Sequence, residues 1–194
     1  MKMLIGLTGK TGSGKSFAAK SFERLGAFVA DCDVIAHEVL KDDAIREKLC
    51  AVFSTQILDK DNNIDRKALG RIVFADNKKL SLLNGIMHGE IIRRALMLCQ
   101  NSGKDICIID GSELEASGID EKCDYVIVIS ANEDIRLKRI MARDNLDRES
   151  ALRRMGAQKD YSKDAIFIIN DEGKDALAEK INTLYNRFLG ELNA

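Results

Sequence analysis

The sequence contains no proline, so its turns have to be located from glycine and from clusters of polar residues. Cysteine is sparse as well. The five cysteines are scattered, odd in number and never spaced C-x-x-C, which argues against both a disulfide framework and a structural zinc site. Reduced thiols in a cytoplasmic protein are the interpretation that this pattern favours.

Long hydrophobic runs are also missing. No apolar run reaches the roughly 18 residues that a membrane-spanning helix requires. The first residues, Met1–Leu7, form a short apolar run that ends in glycines, which indicates a buried strand rather than a signal peptide. An excess of charge of either sign is absent, because 30 Lys and Arg nearly balance 31 Asp and Glu. This balance argues against nucleic acid or an anionic membrane as the main partner.

Five short apolar runs, each followed by polar residues or glycine, predict strands that are buried on both faces of a parallel sheet. These runs are Met3–Thr8, Ala27–Ala30, Ile106–Asp110, Tyr125–Ser130 and Ala165–Ile169. Helical patterns lie between and after them. The predicted helical segments are Lys15–Leu25, Val34–Leu40, Lys67–Ser102 (as several helices), Ile135–Arg143, Glu149–Tyr161 and Asp175–Leu189.

The alternation of strands and helices predicts an α/β doubly wound fold with a five-stranded parallel sheet. With 194 residues, the chain is long enough for one main domain with a small insertion. The stretch 41–103 has no convincing strand pattern, so we predict a helical insertion there, at the edge of the sheet where such folds bind ligands. The core is then 1–40 and 104–194, and it includes an arginine-bearing segment at about 135–165.

One segment matches the phosphate-loop pattern G-x-x-x-x-G-K-[ST] in full: Gly9-Lys10-Thr11-Gly12-Ser13-Gly14-Lys15-Ser16. Glycines leave room for phosphates, and peptide N–H groups at the start of a helix form an anion site. Lys15, expected to be an exposed loop lysine, would reach the β- and γ-phosphates, and the Ser16 hydroxyl would bind Mg²⁺. Because a strand precedes the loop and a helix follows it, the sequence predicts a phosphotransferase that uses ATP and Mg²⁺.

Acidic residues follow two of the predicted strands. Asp31 and Asp33 come after the second strand, where a carboxylate can orient an acceptor hydroxyl or take its proton. The alternative is that Asp33 caps the helix beginning at Val34. Asp110 ends the strand Ile106–Asp110, as the aspartate near Mg²⁺ does in many phosphate-loop enzymes. Spacing alone leaves the catalytic and structural interpretations of these acids open.

Basic residues crowd the segment 138–154, where arginines carried by a closing segment could stabilise the transferred phosphoryl group. Arg139 and Arg143 are spaced i, i+4 and are expected to share one helix face. The alternative is a solvated helix face, since acidic residues are interleaved. We expect one or two of these arginines to be functional. A lone histidine such as His88, in the helical insertion, is more often structural or exposed than functional.

Several segments, in order along almost the whole chain, resemble the dephospho-CoA kinase family. They are the phosphate loop with Leu7 and Thr8 before it, Asp31-Cys32-Asp33-Val34-Ile35-Ala36, Leu137–Asp144, Arg154-Met155-Gly156-Ala157-Gln158 and Ile168–Gly173. The resemblance implies transfer of the ATP γ-phosphate to the ribose 3′-hydroxyl of dephospho-CoA, which gives CoA and ADP. It also implies a phosphate-loop core, a helical CoA-binding region and a lid.

By position, the resemblance gives Asp33 the part of catalytic base and places Lys15 and Arg139 with it in catalysis. It assigns Arg143, Asn170 and Asp171 to the ATP site beside the phosphate loop. The acceptor side would be formed by Asp31, Asp33, His88 and Asp110. The partners it implies are small-molecule substrates only, with the protein a monomer or a weak homo-oligomer.

This chain departs from the family pattern in four places. Gly89 stands where the family usually has proline, and Leu114-Glu115-Ala116 stands where it has Leu-Phe-Glu. Phe17 replaces the usual Thr or Ser, and the family asparagine of the last loop aligns with Asp171 rather than Asn170. An alternative function is therefore a related nucleoside or nucleotide kinase with a different acceptor. A phosphate-loop switch protein is disfavoured, because Asn77-Lys78-Lys79-Leu80 lacks the aspartate of a guanine motif.

Overall fold

The computed structural model describes residues 2–156 and 160–194. Its strands are β1 (Met3–Thr8), β2 (Phe28–Asp31), β3 (Ile106–Asp110), β4 (Tyr125–Ser130) and β5 (Ile166–Ile169). Its α-helices are α1 (Lys15–Leu25), α2 (Cys32–Val39), α3 (Asp43–Phe53), α4 (Arg66–Val73), α5 (Asn77–Asn101), α6 (Leu114–Ser117), α7 (Glu133–Asp144), α8 (Arg148–Gly156) and α9 (Lys174–Leu192). Short 3₁₀ turns lie at Thr55–Ile57 and Ile119–Lys122.

In the part of the chain that the structure describes, the strands form one five-stranded parallel sheet with the order β2-β3-β1-β4-β5. β1 pairs with β3 and with β4, and β4 pairs with β5, each in parallel. The predicted fold class is therefore confirmed. β1, β3, β4 and α1 begin and end at the predicted residues, because short apolar runs bounded by glycine and polar residues mark buried strands sharply.

Contacts along the chain divide it into two compact units. The first comprises Met1–Ala30 and Leu98–Ala194, and the second is Asp31–Met97. The core of the first unit is formed by side chains of the central strands with one face of α1 and one face of α9. Leu177, Ile181, Leu184 and Phe188 of α9 belong to that core, as their helical spacing predicts.

The helix predicted over Glu149–Tyr161 is only partly confirmed. α8 begins at Arg148, and Asp160 and Tyr161 are not helical. Ala157 and Gln158, which carry part of the family resemblance, lie outside the described residues. The helical pattern extended too far because no proline marks the end of this helix and the arginine-rich sequence suits a helix on propensity alone.

The second unit is helical, with one isolated antiparallel bridge between Leu58 and Ile64 among its residues. Its buried side chains include Leu49, Ile57 and Leu69. Within residues 2–156 and 160–194, no helix combines the length and the apolar character needed to span a bilayer.

A network of ion pairs joins α5 to the start of α3 within the second unit. Arg94 contacts Asp42 and also donates from Nε to Glu90 at 2.7 Å. Arg93 binds Glu90 through two nitrogens, at 2.8 and 2.7 Å. These bonds, first from Arg93 and then from Arg94, lower the pKa of Glu90 to about 2.

We expect Glu90→Gln to lower the melting temperature at pH 7 by about 2–4 °C, with a smaller effect at pH 3. A carboxyl whose pKa is depressed on folding contributes stability that is present above its unfolded pKa and is lost as pH falls towards its folded value. For Glu90 that window extends from about pH 4.5, the ordinary pKa of a glutamate, down to about pH 2. Thermal unfolding at both pH values, with Glu47→Gln of α3 as the control, tests this. An equal deficit at pH 7 and pH 3 would contradict it.

Candidate active site

The phosphate loop joins the end of β1 to the start of α1. It is tightened by a bond from the N–H of Ser13 to the carbonyl of Lys10 at 3.0 Å. Gly14 is the N-cap of α1, with φ 105°, and no side chain of the described residues caps the helix. The first turn of α1 also contains no acidic residue. Its first N–H groups and the positive end of its dipole are thus left for an anion.

Two glycines of the loop are required by both conformation and space. Gly12 has φ 83°, and a Cβ there would lie 2.9 Å from the carbonyl oxygen of Arg136 in α7. Gly14, also in the left-handed region, would bring a Cβ into the side-chain amide of Asn170. Any other residue at these positions would strain the loop and push it away from the elements behind it.

Three consecutive carbonyls of the loop accept hydrogen bonds from side chains of α7 and of the residue after β5. The bonds run from Arg136 Nε to Thr11 at 3.0 Å, from Arg139 Nη1 to Gly12 at 3.3 Å, and from Asn170 Nδ2 to Ser13 at 2.7 Å. When these carbonyls are held on the outer side of the loop, the peptide N–H groups between them are held towards its inner side, where phosphates bind in such loops.

Lys15 forms an ion pair with Asp110 at the end of β3. Both side chains are largely buried, with relative exposures of 17% and 7%. The expectation of an exposed loop lysine is therefore wrong, because β3 lies next to β1 in the sheet and brings Asp110 beside the loop. Asp110 holds the ammonium group of Lys15 at the phosphate loop.

Two other side chains of the loop, those of Lys10 and Ser16, differ in their contacts. Lys10 forms an ion pair with Asp160 at 2.6 Å. Ser16 is exposed in the first turn of α1, where a hydroxyl is accessible to a metal ion. Among residues 2–156 and 160–194, no group of three or more His, Cys, Asp or Glu side chains forms a metal site. A hydroxyl and nucleotide phosphates are nevertheless sufficient oxygen donors for Mg²⁺, which keeps several waters in most sites.

Asn170 and Asp171 differ in their positions although they are neighbours. Asn170 is buried and braces the loop, and its carbonyl accepts a bond from Arg139 Nη2 at 3.0 Å. Asp171 is exposed and accepts a bond from the N–H of Asn132 at 2.8 Å, which fastens it to the start of α7.

Arg143 has a different environment from Arg139. Its guanidinium is bound by Asp144, at 2.7 and 2.8 Å, and its side chain is exposed. The same bonds hold the pKa of Asp144 below its usual value. Among the described residues, Arg143 makes no hydrogen bond to the phosphate loop, so of this pair only Arg139 is brought to it.

Glu115, in the segment that departs from the family pattern, is engaged by the chain beyond α8. Its carboxylate accepts bonds from the N–H of Ser162, at 3.1 Å, and from the Ser162 hydroxyl. The hydroxyl bond and then the N–H bond lower the pKa of Glu115. This acid therefore ties α6 to the segment that precedes β5.

In the second unit, Asp31 and Asp33 occupy different positions at the start of α2. Asp31 is the N-cap of α2, and its Oδ1 accepts bonds from the N–H groups of Asp33 and Val34 at 2.8 and 3.1 Å. The interpretation of Asp33 as a cap is therefore wrong, because the helix begins at Cys32 and Asp33 already lies in its first turn. The Asp33 side chain is exposed.

His88 lies near the middle of α5, where it is half-buried, one residue before Gly89. A Cβ at Gly89 would meet no heavy atom within 4 Å, so space does not require glycine there. The proline usual in the family would remove a helical hydrogen bond from α5.

Arg136 is the site residue that sequence reasoning missed. It is 5% exposed and lies on the buried face of α7 with Leu137 and Ile140. The signal was a charged residue at a position that the helical pattern reserves for an apolar one, four residues before Ile140. The arginine-rich stretch itself begins two residues later, at Lys138.

Comparison with known proteins shows which family this chain resembles. The family model of dephospho-CoA kinase matches residues 3–175. A dephospho-CoA kinase of Fusobacterium nucleatum is 35% identical over 183 residues, which cover 92% of this chain and 95% of that protein. The dephospho-CoA kinase of Bacillus licheniformis is 35% identical over 190 residues, covering 92% and 94%.

Among solved structures, the dephospho-CoA kinase from Campylobacter jejuni matches with a TM-score of 0.67 and 28% identity, over 97% of this chain and 98% of that one. Sequence and fold thus agree over nearly the full length of both. The phosphate loop, the acids Asp31 and Asp33 and the arginines of α7 all fall inside the residues that the family model matches. The chain belongs to the dephospho-CoA kinase family.

Proposed function

We propose that this kinase transfers the γ-phosphoryl group of ATP to the ribose 3′-hydroxyl of dephospho-CoA and releases CoA and ADP. The observation that carries the proposal is the phosphate loop, whose carbonyls are held outward by three side chains and whose lysine is held beside it by Asp110. Such a cradle binds a triphosphate, and membership of the family supplies the acceptor.

The ATP side of the site is assigned to residues of the first unit. The N–H groups of residues 9–16, together with Lys10 and Thr11, would surround the phosphates. Lys15 would contact the β- and γ-phosphates, and Ser16 would hold Mg²⁺. The metal ion, when bound, neutralises charge on the phosphates. Asn170, Asp171 and Arg143 would border the nucleotide.

Negative charge that develops on the transferred phosphoryl group needs hydrogen-bond donors close to the loop. Arg139 can supply them, because its bonds to the carbonyls of Gly12 and Asn170 already hold its guanidinium there. A guanidinium has five N–H donors, so two bonds to carbonyls leave others for phosphate oxygens. Preorganised donors of this kind stabilise a transition state without having to reorient during the reaction.

On the acceptor side, Asp33 is proposed to take the proton of the attacking hydroxyl as the new O–P bond forms. An alcohol is a weak nucleophile at neutral pH, so an aligned carboxylate assists the attack. Capping of α2 by Asp31 supports this role, because the Asp33 carboxylate is then not needed to accept the N–H groups at the start of the helix. Asp31, His88 and Asp110 complete the proposed acceptor contacts, with the helical region 41–103 binding the CoA portion.

The proposed partners are therefore the small molecules ATP and dephospho-CoA, with the protein a monomer or weak homo-oligomer. A cytoplasmic location is proposed from the substrates and from the five cysteines, all of which are free thiols.

The first test is ADP release with Mg-ATP, measured with and without dephospho-CoA and beside adenosine and AMP. We expect strong stimulation by dephospho-CoA alone, because the family match covers residues of both substrate sides. Faster turnover on adenosine or AMP would instead establish a kinase with a different acceptor. ATP hydrolysis that responds to none of them would contradict the proposal.

Replacing Lys15 by methionine is expected to lower kcat at least about a hundredfold, because a phosphate-binding charge is lost. It also leaves Asp110 buried beside an uncharged side chain, which destabilises the fold. The double variant Lys15→Met with Asp110→Asn should recover thermal stability but not activity. Recovery of activity in the double variant would show that Lys15 acts only through stability.

Asp33→Asn is expected to lower kcat by about 10²–10⁴-fold, with little change in KM for ATP. The melting temperature should stay within about 1 °C of the parent, because Asp31 still caps α2. Asp43→Asn, which changes an exposed acid in the first turn of α3, is the matched control. If Asp33→Asn has the same kcat as the control variant, Asp33 is not the general base.

A further inference from the structure

Arg136 is a buried arginine whose surroundings lack the usual compensation. Arg136 is only 5% exposed. Its Nη2 atom has no hydrogen-bond partner among the described residues. In that part of the chain Arg136 also forms no ion pair with a carboxylate. A guanidinium is almost never fully buried without a paired charge, so the burial of Arg136 requires a physical explanation.

The bond that Arg136 does make reaches the phosphate loop. Nε donates to the carbonyl of Thr11 at 3.0 Å. The backbone of Arg136 lies against Gly12 as well, close enough that a Cβ on Gly12 would lie 2.9 Å from its carbonyl oxygen and 3.2 Å from its Cα. Main chain and side chain of this one residue therefore both contact the loop, from the buried face of α7.

We propose that Arg136 is a positioning residue for nucleotide binding: it holds the Thr11 carbonyl outward and leaves an uncompensated buried charge beside the loop, for which the phosphates of the nucleotide are the counter-ion. This inference rests on the proposed function only in taking the nucleotide to bind at the phosphate loop.

Two physical effects of Arg136 would both strengthen nucleotide binding. An outward Thr11 carbonyl turns the next peptide N–H, that of Gly12, towards the anion site before the nucleotide arrives, so less ordering is needed on binding. A positive charge without a carboxylate partner raises the electrostatic potential around the loop, and the low-dielectric surroundings screen it little. A carboxylate next to Arg136 would satisfy Nη2 but would cancel the second effect.

The competing interpretation is that Arg136 only packs α7 against the first unit. That interpretation has a distinct consequence, because a packing residue lowers stability and affects both substrates alike. A positioning residue of the phosphate loop weakens nucleotide binding and leaves the acceptor KM unchanged. The two interpretations are thus separated by the pattern of binding constants.

The test is titration of ADP, without acceptor, against the parent protein and against Arg136→Met, Arg136→Gln and Arg136→Lys. We expect Arg136→Met to raise the Kd for ADP by about tenfold to a hundredfold, since a charge-assisted hydrogen bond and a charge are lost. Arg136→Lys, which keeps the charge, should recover most of the affinity, and Arg136→Gln should not. In steady-state assays, KM for ATP should rise while KM for dephospho-CoA stays within about twofold.

Arg187→Met is the matched control, because Arg187 lies on α9, exposed, in an ion pair with Glu191. Its ADP affinity should equal that of the parent. A folded Arg136→Met that binds ADP within twofold of the parent overturns the proposal. So does an equal rise of both KM values, or failure of all three Arg136 variants to fold. Because ADP binding needs no acceptor, a wrong assignment of dephospho-CoA would leave this result intact.

Discussion

A phosphate loop binds anions only while its peptide N–H groups converge on one point, and that convergence depends on where the carbonyls of the same peptide units are held. In this chain the carbonyls of three consecutive residues are held by side chains from α7 and from the end of β5. The glycines at positions 12 and 14 are the other half of the arrangement, because only they let α7 and Asn170 approach so closely. The loop is therefore a local motif whose working shape is supported by distant parts of the chain.

The need to bind an anion at this loop also explains how charges are distributed around it. Lys15 is paired with Asp110 at the adjacent strand end, which positions a flexible ammonium group before substrate arrives. Arg139 is positioned by carbonyls, which carry no net charge and so leave its own charge uncancelled. Arg136 shares this property and is more deeply buried. Cations held by neutral acceptors can stabilise phosphate more strongly than cations already neutralised by carboxylates.

In the second unit, two neighbouring acids occupy different positions at the start of α2. Asp31 satisfies the N–H groups of Asp33 and Val34, and Asp33 is an exposed acid in the first turn of the same helix. Further along, the network of Glu90 with Arg93 and Arg94 ties α5 to the start of α3. His88 thus lies on a helix that is fastened near its own position. Side chains on such supported helices are held more closely than side chains on free loops.

Local patterns alone determined the phosphate loop, the strands β1, β3 and β4, the helix α1 and the fold class, because strand and helix periodicities and glycine spacing are properties of neighbouring residues. Membership of the kinase family was likewise readable from the order of motifs. Only the tertiary structure decided that Asp110 meets Lys15, that Asp31 rather than Asp33 caps α2, and that Arg136 is buried behind the loop. These three features depend on which strand ends are adjacent and on which face of a helix packs inward. They also depend on contacts between residues more than 90 positions apart, such as Lys15 and Asp110. No local pattern encodes such contacts, because they arise only when the sheet brings distant elements together.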